Sequence, residues 1–304
     1  MRLDRQLRRC AMAEERVMNW GRWGKEDQLG AANLLTPERM AAAARLVKKG
    51  KLYSLSSPIR EDKVPRMDIR PGNQHFVRIF GGPQQQSYAE VADDTLLIGC
   101  HGTSTHIDAL CHYWTEGTMY NGFPAKKYVE GFGATRLGIT NLKGIFGRGV
   151  LLDVAGLKGK PHLEGACVIT PEDLEACCQR QGTRIEQGDV VLFRTGWNTV
   201  YYSQGFDVYN HSQPGLEIEA GLWLAKKDVC AVGADNSAIG VRDKKRAPRR
   251  NVHDVFLQDA GIYLIEMMDL EQLAADKVYE FLFVAAPLMV TGGTGSSLNP
   301  LAIV

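Results

Sequence analysis

The string His101-Gly102-Thr103-Ser104-Thr105-His106-Ile107-Asp108-Ala109-Leu110-Cys111-His112 gathers three of the chain's seven histidines and a carboxylate within 12 residues. On extended backbone, His106 and Asp108 project from one face. If the chain turns helical after Asp108, His112 folds back toward the same cavity. Imidazoles combined with a carboxylate suit a borderline divalent ion such as zinc or manganese. The plainer alternative is a set of hydrogen-bonded polar residues flanking a core strand. Downstream, His253 opens an expected helix and Glu266 ends the strand Ile262-Tyr263-Leu264-Ile265. A helix–turn–strand hairpin brings its two ends together, so this pair can complete a site. A buried His and a strand-end Glu also occur as purely structural residues.

These residues resemble the motif of the cyclase-like metal-dependent hydrolases, the family of bacterial kynurenine formamidase and isatin hydrolase. The family's usual form is His-x-Gly-Thr-His-x-Asp-x-x-x-His. Thr105-His106-Ile107-Asp108 and His112 match its second half, and His253 and Glu266 fall where the family places a distal His and Glu. Residues 189–196 and Gly233-Ala234-Asp235 resemble strand ends that wall the family's pocket. The similarity runs from about residue 50 to 304, and residues 19–32 and 36–50 resemble the head of the longer branch.

The resemblance implies an α/β chain with the swivelling β/β/α fold, assembled as a homodimer or homotetramer. It implies an N-terminal extension over residues 1–50, with one helix packed on a hydrolase domain over 51–304. It also implies that His106 and Asp108 are ligands of a zinc or manganese ion, with Asp108 bridging where two ions are bound. His253 and Glu266 would serve a second metal position or orient water, and His112 would transfer the proton. Strict alignment places the family's first ligand at Gly102, which has no coordinating side chain. His101 takes that role if an extra residue bulges before Thr105, since bulges re-aim side chains; otherwise the site is altered.

The chemistry implied is hydrolysis of an amide, formamide or cyclic imide/lactam bond. A divalent ion lowers the pKa of bound water and polarises a carbonyl. An imidazole with an ordinary pKa near ~6.5 can take up and return a proton, which suits His112. Ser104 and Thr105 are read as orienting residues, because no Gly-x-Ser-x-Gly elbow surrounds either. Trp114, Tyr120, Phe123 and Trp197, with Tyr201, are candidate walls for a cyclic or aromatic small-molecule substrate; each could equally close a loop core. Arg194 and Arg242 are candidates to meet a carboxylate, or else surface residues. Gly292-Gly293-Thr294-Gly295 lacks the Lys of a phosphate loop and reads as a flexible turn near the pocket. Two other functions remain open: a lactonase or cyclase acting on an ester, and a binding protein whose metal site has decayed.

Several elements must position these groups. Thr36-Pro37-Glu38 caps a helix expected to stop at Gly50. Strands are expected over 51–57, 74–80, 95–100, 149–154, 189–194, 229–233, 262–266, 279–286 and 301–304. Helices are expected from Thr170-Pro171 to about Gln181, over 217–227 and 252–260, with a helical turn at 270–274. The glycine-rich stretch 117–149 reads as long loops around a pocket. Mixed helices and strands without a break in composition indicate an α/β architecture.

Composition narrows the function classes. The chain has 304 residues and 44% hydrophobic content, sufficient for a large core, and a net charge of +1. That balance gives no reason to expect nucleic-acid binding. The basic run Lys244-Lys245-Arg246-Ala247-Pro248-Arg249-Arg250 is read as a solvated loop or interface. Seven cysteines, with no CxxC pair and no secretory h-region, suggest reduced thiols and a cytoplasmic location. No run of 18 apolar residues suggests a membrane span.

Overall fold

A computed structural model describes residues 15–61, 64–85, 87–243 and 250–304. The basic run 244–249 therefore lies outside the described residues. Arg250, at its end, pairs with Asp259. Eleven strands organise the site: β1 (Leu52–Ser54), β2 (Gln74–Gly81), β3 (Glu90–Leu97), β4 (His106–Asp108), β5 (Ile145–Asp153), β6 (Val190–Arg194), β7 (Ala231–Ala234), β8 (Tyr263–Glu266), β9 (Glu280–Ala285), β10 (Gly295–Ser297) and β11 (Leu301–Ile303). All but β2 and β3 form one sheet in the order β1-β11-β9-β5-β6-β7-β8-β4-β10. Its centre, β5 to β8, is parallel, and antiparallel strands extend it on both sides.

The parallel centre follows from sequence. Val190-Val191-Leu192-Phe193 is a continuous apolar run, buried throughout, which is what a strand covered on both faces requires. Thr170 and Asp173 form a reciprocal capping box at the start of the helix Pro171–Gln181, and Gly182 closes it in the left-handed conformation. That helix connects β5 to β6, and the helix Ile218–Lys226 lies before β7. No helix among the described residues is long and apolar enough to cross a membrane.

Three segments differ from the reading of the sequence. The helix capped by Thr36 spans Pro37–Ala44 and ends before Gly50. Its last turn tightens as Arg45 N donates to Ala42 O, and Lys49 N and Lys51 N then donate to Val304 O, drawing the chain onto β11. β5 begins at Ile145, inside the stretch read as loop, because Ile145, Gly147 and Gly149 alternate into the core. Helices Trp197–Gln204 and Phe206–His211 were not expected. Their β-branched and aromatic residues are weak helix formers, and the helices are held by packing among Trp197, Val200 and Tyr209.

Residues before β1 are tied down across the sheet. Ala31 N donates to Gly261 O at 2.8 Å, and Asn19 Nδ2 donates to Ala260 O at 2.9 Å. The acceptors are the last residue of the π-helical segment Asp254–Ala260 and the residue after it; the segment replaces the ordinary helix expected there and is buried along its whole length. His253 sits at its N-terminal end.

Candidate metal centre

β4 lies between β8 and β10, and register sets which side chains meet. Glu266 pairs with His106 and Leu264 with Asp108. Residues directly opposite in a ladder share a face, so His106, Asp108 and Glu266 project together. All three are buried. His106 Nε2 lies 3.5 Å from Asp108 Oδ1 and 3.5 Å from Glu266 Oε2. His106 Nδ1 donates to Ser104 O at 2.8 Å, which turns the Nε2 lone pair toward the carboxylates. His253 Nε2 approaches Glu266 Oε1 to 3.4 Å.

His101 arrives from a turn, and this answers the question posed by Gly102. Residues 101–105 turn before β4 begins, so no bulge within a strand is needed. Gly102 adopts φ +73°, and a Cβ there would stand 2.7 Å from Met67 Sδ. That turn brings His101 Nδ1 to 2.9 Å from Asp108 Oδ1, while His101 Nε2 lies 3.1 Å from Thr294 Oγ1. Gly295 leaves room for the ring: its Cβ would fall 2.5 Å from His101 Cε1 and 2.7 Å from Ile107 O. The segment read as a flexible turn, residues 292–295, is thus partly strand and supports the imidazole.

Two sets of potential ligands result, His101–His106–Asp108 and Asp108–His253–Glu266, each with its donor atoms within 4.8 Å of one another. Asp108 belongs to both. The electrostatics of this donor set favour a cation. Burial pushes the Glu266 carboxyl up, and Asp108 adds to that shift against the opposing hydrogen bond from His253. Burial alone would raise Asp108 too, but His112, His101 and His106 together hold it below the usual carboxylate range. Asp108 Oδ2 is buried without a hydrogen-bond partner, and Glu266 Oε1 meets only the His253 ring, at 3.4 Å. Orphaned carboxylate oxygens of this kind are costly unless something positive meets them. Two mixed imidazole–carboxylate sets that share Asp108 fit a divalent ion. Cys100, close enough to feel Asp108, is pushed up to about 12 chiefly by burial, so it stands as a neutral thiol.

His112 stands outside both sets. Its ring stacks on His101 with centroids 3.7 Å apart. Burial lowers its pKa to about 4, the neighbouring imidazoles adding to this and Asp108 opposing it, so it is neutral near pH 7. A neutral imidazole against the ligand cluster can accept a proton.

The aromatic residues divide differently from the sequence reading. Trp114 is 38% exposed. Tyr120 is fully buried and donates to Asp27 Oδ2 at 3.1 Å, so the N-terminal segment occupies its hydroxyl. Phe123 is buried edge-on against Tyr128, and Trp197 is buried with its Nε1 donating to Tyr209 O at 3.2 Å. Tyr201 packs against that cluster. Tyr120, Phe123 and Trp197 therefore close the chain's own interior rather than presenting free faces. Arg194 is engaged by Asp153 and Glu271, and Arg242 by Asp68, so neither guanidinium is held in reserve for a ligand.

Some supporting residues gave no sequence signal. Tyr113 stacks obliquely on His253 and is held by Asn251 and Asp254. The Tyr209 hydroxyl is buried near Ser237 and lies within the field of Asp235 and Glu266. Thr294 lies in the segment read as a turn near the pocket, but its contact with His101 depends on β10 pairing with β4.

A family model described as "Putative cyclase" matches residues 53–241. A crystal structure described as "a novel cyclase" is 36% identical, covering 95% of this chain and 98% of that one, with a TM-score of 0.88. Isatin hydrolase A from Ralstonia solanacearum is 22% identical, covering 88% of this chain and 98% of its own, with a TM-score of 0.63. A "predicted metal-dependent hydrolase" from Bacillus stearothermophilus is 24% identical over 83% of this chain and 97% of its own, with a TM-score of 0.54. No curated protein matches the chain.

Proposed function

From the premise that this chain belongs to the cyclase family, we propose that it is a metal-dependent hydrolase that opens an amide, formamide or cyclic imide/lactam bond. The observation that carries this reading is the convergence of His101, His106, Asp108, His253 and Glu266, with the buried Asp108 Oδ2 left unpartnered. Zinc and manganese both suit these ligands. A divalent ion there would supply Lewis acidity, lowering the pKa of bound water and polarising the scissile carbonyl.

The chain's own residues do the rest. Ser104 O fixes the tautomer of His106, and Thr294 Oγ1 holds the far nitrogen of His101. Asp108 joins the two ligand sets, which suits it to one ion or to bridging two. His112 is the general acid/base. Neutral and stacked on His101, it takes the proton of the attacking water on a free ring nitrogen and returns it to the departing nitrogen. The substrate we assign is a small cyclic or aromatic molecule, entering where half-exposed Trp114 stands. Proteins of this fold include isatin hydrolases, which agrees with a lactam or related bond.

The test is turnover of N-formyl aromatic amines, cyclic imides, isatin and lactones by protein stripped with chelator and then reloaded with zinc or manganese. Loss on stripping and recovery on reloading, with amides or imides preferred, supports the reading. A preference for lactones reassigns the bond. Metal below ~0.2 ions per chain after reloading would contradict the metal site, given the tight binding expected of several protein ligands.

A further inference from the structure

The last carbonyls of any helix find no partner within it, and when the helix ends in the core they must be met from elsewhere. The π-helix Asp254–Ala260 is such a case, since it is buried along its whole length. Its carbonyls are met by a segment from the far end of the sequence. Trp20 Nε1 donates to Gln258 O at 2.7 Å, and Asn19 N donates to Asp259 O at 3.0 Å. Asn19 Nδ2 donates to Ala260 O at 2.9 Å, and Ala31 N donates to Gly261 O at 2.8 Å. The successive carbonyls of residues 258–261 are each capped in this way.

Side chains reinforce the grip. Arg16 and Arg250 both meet the carboxylate of Asp259, which is fully buried. Gly30 lies so close to the turn that a Cβ there would collide with Gly261 O. Gly261 itself reverses the chain in the left-handed conformation, Ile262 N donates to Phe256 O at 2.8 Å, and β8 then runs to Glu266. Residues 15–32 thus hold the closed end of a helix–turn–strand unit. Its open ends are His253 and Glu266, where His253 Nε2 stands 3.4 Å from Glu266 Oε1.

Resting on the metal-dependent reading above, we propose that the segment 15–32 is a positioning element for the ligand set Asp108–His253–Glu266, with Asn19 and Trp20 as its chief contacts. π-Helices are uncommon and concentrate at functional sites. Without its caps the segment would relax toward the tighter α-helix, and the change in winding would rotate His253 about the helix axis, away from Glu266. The set His101–His106–Asp108 is built differently, by the turn 101–105 and by β4. No hydrogen bond among the described residues joins that turn or strand to residues 15–32. The segment therefore acts on one half of the centre.

Zinc titration of the full, chelator-stripped chain against a competing dye tests this. Asn19→Ala with Trp20→Phe removes two of the caps and should weaken zinc binding about tenfold, the lower end of what residues behind a ligand contribute. The same pair added to His253→Ala should change zinc affinity less than ~2-fold, because the ligand it positions is already gone. A segment that only stabilised the fold would weaken zinc alike in both backgrounds, and that result would overturn the proposal. Wild-type and variant chains that bind zinc equally would overturn it too, while leaving the metal reading intact. A wild-type chain that takes up no zinc would end both. Should the variants fail to fold, amide exchange on the wild-type chain decides. Coupling between sites is reciprocal, so zinc should slow exchange at the Asn19 and Ala31 amides by about tenfold. Exchange there that zinc leaves unchanged would contradict the proposal equally.

Discussion

Two neighbouring regions of this molecule invert the usual distribution of polarity. At β4 and β8, carboxylates and imidazoles sit where a core would hold aliphatic side chains. In the β2/β3 hairpin, phenylalanine, isoleucine and leucine stand where a surface would be polar. The two are consecutive in sequence, separated only by the segment 98–105. The buried cluster sets two carboxylates among imidazoles, and the hairpin sets apolar side chains toward solvent. Burying unpaired carboxylates costs stability, and the proposed metal would offset that cost.

The sharpest way to break the polar half is to remove its shared member. Asp108→Ala and His106→Ala should each abolish both metal content and turnover, measured by elemental analysis beside the substrate panel. His112→Ala should keep the metal and lose activity by about 10²–10⁴-fold, the usual worth of a general acid/base. If the metal is lost as completely as in Asp108→Ala, the role assigned to His112 is wrong. Gly295→Ala comes next. Its methyl would displace the His101 ring, so it should weaken metal affinity and cost about 1–3 kcal/mol in stability from overpacking. The smallest expected effect is Tyr120→Phe, which removes a buried hydroxyl from Asp27. It should lower stability by about 1–2 kcal/mol and leave kcat and KM unchanged, as a residue that packs rather than recognises would. A raised KM would restore Tyr120 to the pocket.

Periodicity and capping made much of the sheet legible. The run 190–193 could only be a buried strand, and Thr170-Pro171 could only begin a helix. The candidate ligands were legible for another reason: chemistry concentrates unusual residue types, and three histidines beside a carboxylate stand out in any context. Aromatic residues carry no such signal. Tyr120 and Trp114 look alike in sequence, yet the first is sealed by Asp27 from 93 residues away and the second reaches solvent. The turn that rescues His101 was hidden as well, since it depends on Met67 packing over Gly102. The exposure of the hairpin was invisible for the same cause. The first strand was expected at 74–80 and found at Gln74–Gly81, while the second, expected over 95–100, runs over Glu90–Leu97, and alternation cannot say what lies beyond either face.

The central claim, that this cluster binds a divalent ion, is tested most directly by anomalous diffraction from crystals grown with zinc or manganese. The account predicts a peak about 2.0–2.2 Å from Asp108 and His106 Nε2, the distance typical of such ligands. A difference map with no density between those side chains, or with its only peak elsewhere on the molecule, would contradict it.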